Sequence, residues 1–188
     1  MRGLSVLMLL ASFGATAHAQ PAPPRKPDPK AELGNLLTAL KQAPNENAAV
    51  ALEARIRQGW MEASGPAAGL LLNRGLRNLA NNAEGDALDD FDAALALEPE
   101  FTEAFHRRAA ARAAVGNYRG ALADIQEALK REPRHFAAWQ TLSRIAEARG
   151  DAAGALAAWQ KSLEIDPRTP HGQDRLRELR KKVLGQDL

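Results

Sequence analysis

The sequence predicts an all-α solenoid of helix-turn-helix hairpins closed by a C-terminal capping helix, and three observations predict it. First, residues 102–135 and 136–169 align at a shift of 34, placing Gly116 on Gly150, Ala121 on Ala155, Leu122 on Leu156, Leu129 on Leu163 and Pro133 on Pro167. A fixed period of roughly 20–50 residues marks a stacked array. Second, a looser copy precedes these two in the same register, with Ala87, Ala94 and Pro99 standing 34 residues before Ala121, Ala128 and Pro133. Third, cysteine is absent while apolar residues make up 45% and charged residues 26% of the 188-residue chain. That composition suits a soluble core built without disulfides, thiolate nucleophiles or Cys-based zinc sites.

Taken in order, residues 1–19 read as a secretory signal peptide. Arg2 supplies the positive start, residues 4–13 the apolar run, and Ala17-His18-Ala19 the small-residue cleavage site. The expectation is export, with the mature chain starting at Gln20 in a bacterial periplasm and no membrane span after cleavage. The run is shorter than the roughly 20 residues that cross a bilayer. Residues 20–30 carry Pro21, Pro23, Pro24, Pro27 and Pro29, a density that favours an extended polyproline spacer. A sharper alternative has this segment lying in the protein's own groove.

Residues 31–67 read as a helical pair, a degenerate repeat with helices over 31–42 and 47–63. Ala49, Leu52, Ile56 and Trp60 make one apolar face of the second helix, Asn47 is its expected N-cap, and Gly65-Pro66 ends the pair. Residues 68–169 form three repeat units. Each hairpin turns at Asn81-Asn82, Gly116-Asn117 or Gly150-Asp151, because Gly or Asn tolerates the left-handed conformation and Asn or Asp caps the following helix. Ala87, Ala121 and Ala155 are expected where two helices cross closely, with Phe91, Ile125 and Trp159 filling the space between units. Residues 170–188 supply the capping helix, with Leu176, Leu179 and Val183 as its apolar stripe and a Glu178–Lys182 pair on its surface.

Trp139, Leu142, Ala155, Trp159 and Pro167 give large, large, small, aromatic, proline at hairpin spacing. Phe105, Gly116, Tyr118, Ala121, Ile125, Ala128 and Pro133 repeat that pattern in the unit before. In tandem this resembles the tetratricopeptide repeat. The sequence departs from it at Arg74 and Arg108, which stand where the third unit has Leu142, and at Ala152, which lacks the aromatic of Tyr118. The resemblance implies a concave face, lined by the first helix of each unit, that holds a peptide or partner protein. Mapped onto this chain, that groove comprises Leu72, Asn73, Leu76 and Leu79, then Glu103, His106, Arg107 and Ala110, then Gln140, Thr141, Arg144 and Glu147. Leu72 and Leu76 occupy places where chaperone-tail receptors of the family carry polar clamp residues, which disfavours that ligand class. Arg107 and Arg144 can take carboxylates bidentately.

Chemistry beyond binding finds no foothold in the sequence. No H-E-x-x-H, G-x-S-x-G or phosphate-loop pattern occurs. His106, His135 and His171 are expected as surface or groove residues, and Asp89, Asp90 and Asp92 as a solvated acidic face. A net charge of +2 gives no basis for nucleic-acid binding. The functional expectation is a non-catalytic protein–protein interaction module with no metal, no cofactor and no catalytic residue. The alternative is a structural subunit joining a cell-envelope assembly through its outer face.

Overall fold

The computed structural model describes residues 28–185. The expected signal peptide, and the spacer as far as Pro27, lie outside the described residues. Among these residues there are helices and no strands. They are α1 (Pro29–Lys41), α2 (Glu46–Met61), α3 (Pro66–Ala80), α4 (Glu84–Leu97), α5 (Thr102–Ala114), α6 (Tyr118–Arg131), α7 (Phe136–Ala148), α8 (Ala152–Ile165) and α9 (Gly172–Leu184).

Helices α3–α4, α5–α6 and α7–α8 pair as hairpins, and each hairpin leans on the next through α4–α5 and α6–α7. Asn82, Gly116 and Gly150 turn the three hairpins with φ of 56°, 78° and 78°. Asn117 and Asp151 then cap α6 and α8 by accepting from the N–H of Gly120 and Gly154. Unit one differs by one position, because Ala83 stands at the cap and makes no side-chain bond. Pro29 and Pro66 sit in the first turns of α1 and α3, where a missing N–H costs nothing. Pro29 thus belongs to a helix rather than to the spacer. Asn45, not Asn47, caps α2 by accepting from Ala48 N–H.

Ala87, Ala121 and Ala155 are fully buried, as the close crossings require. In units one and two the neighbouring helix answers the large residue with a small one. Gly75 lies against Phe91 and Ala109 packs in one cluster with Ile125, while Ser143, the equivalent position of unit three, donates to Ala155 O. A Cβ on Gly75 would fall 2.5 Å from the Phe91 ring, so the bulkiest aromatic of unit one rests on bare backbone.

The arginines that break the repeat pattern are paired. Arg74 and Asn78 of α3 donate to Asp90 of α4, which is buried rather than solvated. One unit on, Arg108 and Arg112 donate to buried Asp124 at 2.6 and 2.8 Å. In unit three the equivalent positions are Leu142, Ala146 and Ala158. Charge and counter-charge were exchanged together for apolar packing, which a buried ion pair allows at little net change in stability.

Helix α9 covers the end of α8 with buried Leu176 and Leu179. Val183 is 41% exposed and does not complete the expected stripe. Lys182 reaches Glu147 of α7, together with Arg175, instead of pairing with Glu178. The N-terminal hairpin packs unlike a stacked repeat. Its contacts run to α5, α7 and α8, so it lies across the turns that join the units. Leu37, Leu40, Ile56 and Trp60 form a core there with Phe136, Ala137 and Ile165.

Candidate functional site

The groove residues expected from the sequence divide sharply in the structure. Leu72 is 0% exposed, inside the core of unit one with Phe91 and Phe101, so it lines no groove. Leu76 and Leu79 are half-buried against the same core, and Asn73 is exposed on α3. Glu147 is engaged by α9. His106 is buried, and Arg107 spends its guanidinium on Glu103 at 2.5 Å. Gln140 is half-buried; Arg144 is exposed and donates to Thr141 Oγ at 3.0 Å.

What remains open between α5 and α7 is a depression of about 270 Å³, lined by Ala110, Ala113, Tyr118, Thr141, Arg144 and Ile145 among others. Its floor is small and apolar because Ala110, Ala113 and Ala114 leave space where α5 faces α7. Its polar edge is Arg144.

Beneath that face lies a buried polar chain that sequence spacing did not reveal, since its members are 3, 29 and 32 residues apart. His135 caps α7: Ala138 N–H donates to its Nδ1 at 3.1 Å. The ring proton therefore sits on Nε2, which donates to Glu103 Oε2 at 2.9 Å. Nδ1 of His106 faces the same oxygen at 3.5 Å, and its Nε2 meets Thr141 Oγ at 3.2 Å. Trp60 of α2 stacks on the His135 ring, centroids 3.8 Å apart and planes 9° from parallel.

Burial opposes the charge on Glu103, but the imidazoles of His106 and His135 outweigh it and hold the carboxyl well below its usual range. Burial likewise pushes His106 down to about 4, against the pull of Glu103, so the ring is neutral near pH 7. Both histidines are thus interior residues, not the surface or groove residues expected. Ligand atoms of Glu103, His106 and His135 all lie within 4.8 Å of one another, a spacing that a divalent cation can use. The proton inventory opposes that use. A metal on Nε2 of His135 needs the proton on Nδ1, which already accepts from backbone. Arg107 adds a positive charge on the same carboxylate. The cluster is a directed hydrogen-bond chain that ties α5 to α7 and seats α2.

Comparison with known proteins agrees with this architecture. No protein-family model matches the chain. A curated protein of Rhizobium etli, described as TPR repeat-containing, is 31% identical over 94 residues, which is 50% of this chain and 46% of that protein. The chain therefore spans about half the length of that relative. The TPR domain of Sgt2 from Aspergillus fumigatus superposes with a TM-score of 0.61 at 25% identity, over 66% of this chain and 86% of the domain. The stacked hairpins of this chain are similar to tetratricopeptide repeats. The first TPR domain of Spaghetti (RPAP3), solved with an HSP90 peptide, superposes equally well (TM-score 0.61) at 16% identity, over 65% of this chain and 97% of that one. Compared with a free-standing tetratricopeptide array, the present chain adds the α1–α2 hairpin across its unit-joining turns.

Proposed function

We propose that this protein is a non-catalytic interaction module of the bacterial periplasm that holds a peptide or partner protein in the depression between α5 and α7. The observation that carries the reading is Arg144, an exposed guanidinium at the rim of a small apolar floor. An extended segment can set a small apolar side chain against Ala110, Ala113 and Ile145 while a carboxylate meets Arg144. The solved tetratricopeptide domain that carries an HSP90 peptide supports peptide binding as a use of this fold. The periplasmic setting rests on the signal pattern in residues 1–19.

The test is capture of partners from periplasmic extract by wild type and by Arg144→Ala. Arg107 is unsuitable for this purpose because its loss uncovers buried Glu103. Binding lost in Arg144→Ala while melting is unchanged supports the depression. Equal capture by both proteins would move the binding surface elsewhere, as the outer-face assembly reading requires. Export is checked by the mass of the purified periplasmic protein, expected to begin at Gln20.

A further inference from the structure

Asp166 directly follows α8 and is 0% exposed, yet neither carboxyl oxygen has a hydrogen-bond partner within the protein. The group facing it is Glu53 of α2. Glu53 itself accepts from Thr169 Oγ at 3.4 Å and from Arg57 at 2.6 Å. Two carboxyls sealed together cannot both ionise cheaply, and a single proton between them satisfies both. That pair lies where the N-terminal hairpin meets the turn between α8 and α9. We propose that the α1–α2 hairpin is a strap whose grip on the repeat array is set by pH, with the facing carboxyls of Glu53 and Asp166 as the switch.

The surroundings do not cancel the effect. Arg57 is the guanidinium bonded to Glu53, and it is shared between that carboxyl and the Phe136 ring, 5.0 Å from its centroid. From its own turn the Arg168 backbone N–H and Thr169 lie near Asp166 and favour its charge without completing a hydrogen bond to either oxygen, and Ser162 of α8 is buried close by in sequence. Lys41 of α1, Arg134 before α7, and Lys161 and Glu164 of α8 line the neighbouring depression, where Lys161 pairs with Glu164. At the start of α9, His171 just before the helix and Asp174 within it face each other in solvent.

Burial, followed by the bonding and repulsion of Glu53, pushes Asp166 up to about 7 from its ordinary 3.8. A released hairpin returns Asp166 to water and to that ordinary value. The strapped form therefore holds a proton that the released form surrenders between about pH 4 and 7. Across that window, strapping weakens by up to roughly tenfold per pH unit and then levels off. Release uncovers Phe136, Ala137 and Ile165, an apolar strip along the unit-joining turns.

Amide hydrogen exchange on the full chain, corrected for intrinsic rates and referenced to α6, measures the opening of α2. The expected result is that the ratio of opening constants at pH 8 and pH 5 is at least tenfold larger in wild type than in Asp166→Asn, a comparison in which the opposing contribution of the His106 seat, common to both proteins, cancels. Glu53→Gln removes the same repulsion and provides the second variant. Variants that keep the wild-type ratio of opening constants between pH 8 and pH 5 would overturn the proposal.

Discussion

Glu103 and Asp166 are both carboxyls sealed under α2, one beneath Trp60 and the other against Glu53, and their pKa values are shifted in opposite directions. Burial works against ionisation at each. At Glu103 it loses, because Arg107 and His135 donate directly and His106 faces the same oxygen. At Asp166 it wins, because the nearest ionisable neighbour is another acid and both oxygens lack donors. Depth does not set the charge of a buried acid; the supply of N–H groups does. One helix therefore carries an acid-sensitive seat at its C-terminal end and a base-sensitive seat nearer its start.

Removing the seats gives the largest effects. Trp60→Ala deletes a buried indole and its stack on His135, and should cost about 3–5 kcal/mol in denaturant unfolding. Glu103→Gln keeps the shape of the acceptor and removes its charge. Since hydrogen bonds to a charged group contribute about 1.5–3 kcal/mol, a loss of that order should appear in the same assay.

The acid side of the contrast is sharpened by titration. The His106 pKa lies near 4 in the folded protein and near the usual 6.5 unfolded, so the unfolded chain takes up the proton first as pH falls. Stability should therefore drop between about pH 6.5 and 4, by at most about 1.4 kcal/mol per pH unit from this group. NMR should show the His106 ring still neutral at pH 5, and a ring titrating near 6.5 would break the contrast. The smallest effect is expected where donors and carboxylate leave together. Arg108→Leu, Arg112→Ala and Asp124→Ala, combined, give unit two the residues of unit three, and the triple variant should melt near the wild-type temperature.

The repeats were legible because their constraints are local. A left-handed turn residue, a small residue at a helix crossing and a stopping proline each recur at a fixed interval. Asp90 departs from the solvated face expected of it, and the burial of Asp124 goes unsignalled, because their partners, Arg74 and Arg108, stand 16 residues earlier on a different helix. A signal was available: Arg74 with Asp90, Arg108 with Asp124 and Leu142 with Ala158 change character as pairs. The histidine chain carried no such cue. His106 and His135 meet Glu103 only once α5 and α7 are side by side, and Trp60 arrives from a hairpin outside the repeat register. Leu72 was assigned to the groove by its place in the family pattern, but α4 and α5 close over it. The depression beside Arg144 lies within the face that the repeat resemblance indicated.

The fit of Gly75 to Phe91 and of Ala109 to Ile125 has a consequence for how this array can be rearranged. Although the hairpins share one outline, each interior is cut to its own key. Transplanting α4 behind α5 would drive the Phe91 ring against the Ala109 Cβ, and moving α6 behind α3 would leave a void above Gly75. The order of these modules is written into their side chains, so duplication or shuffling of whole helices should yield chains that need compensating changes at Gly75 or Ala109 before they close.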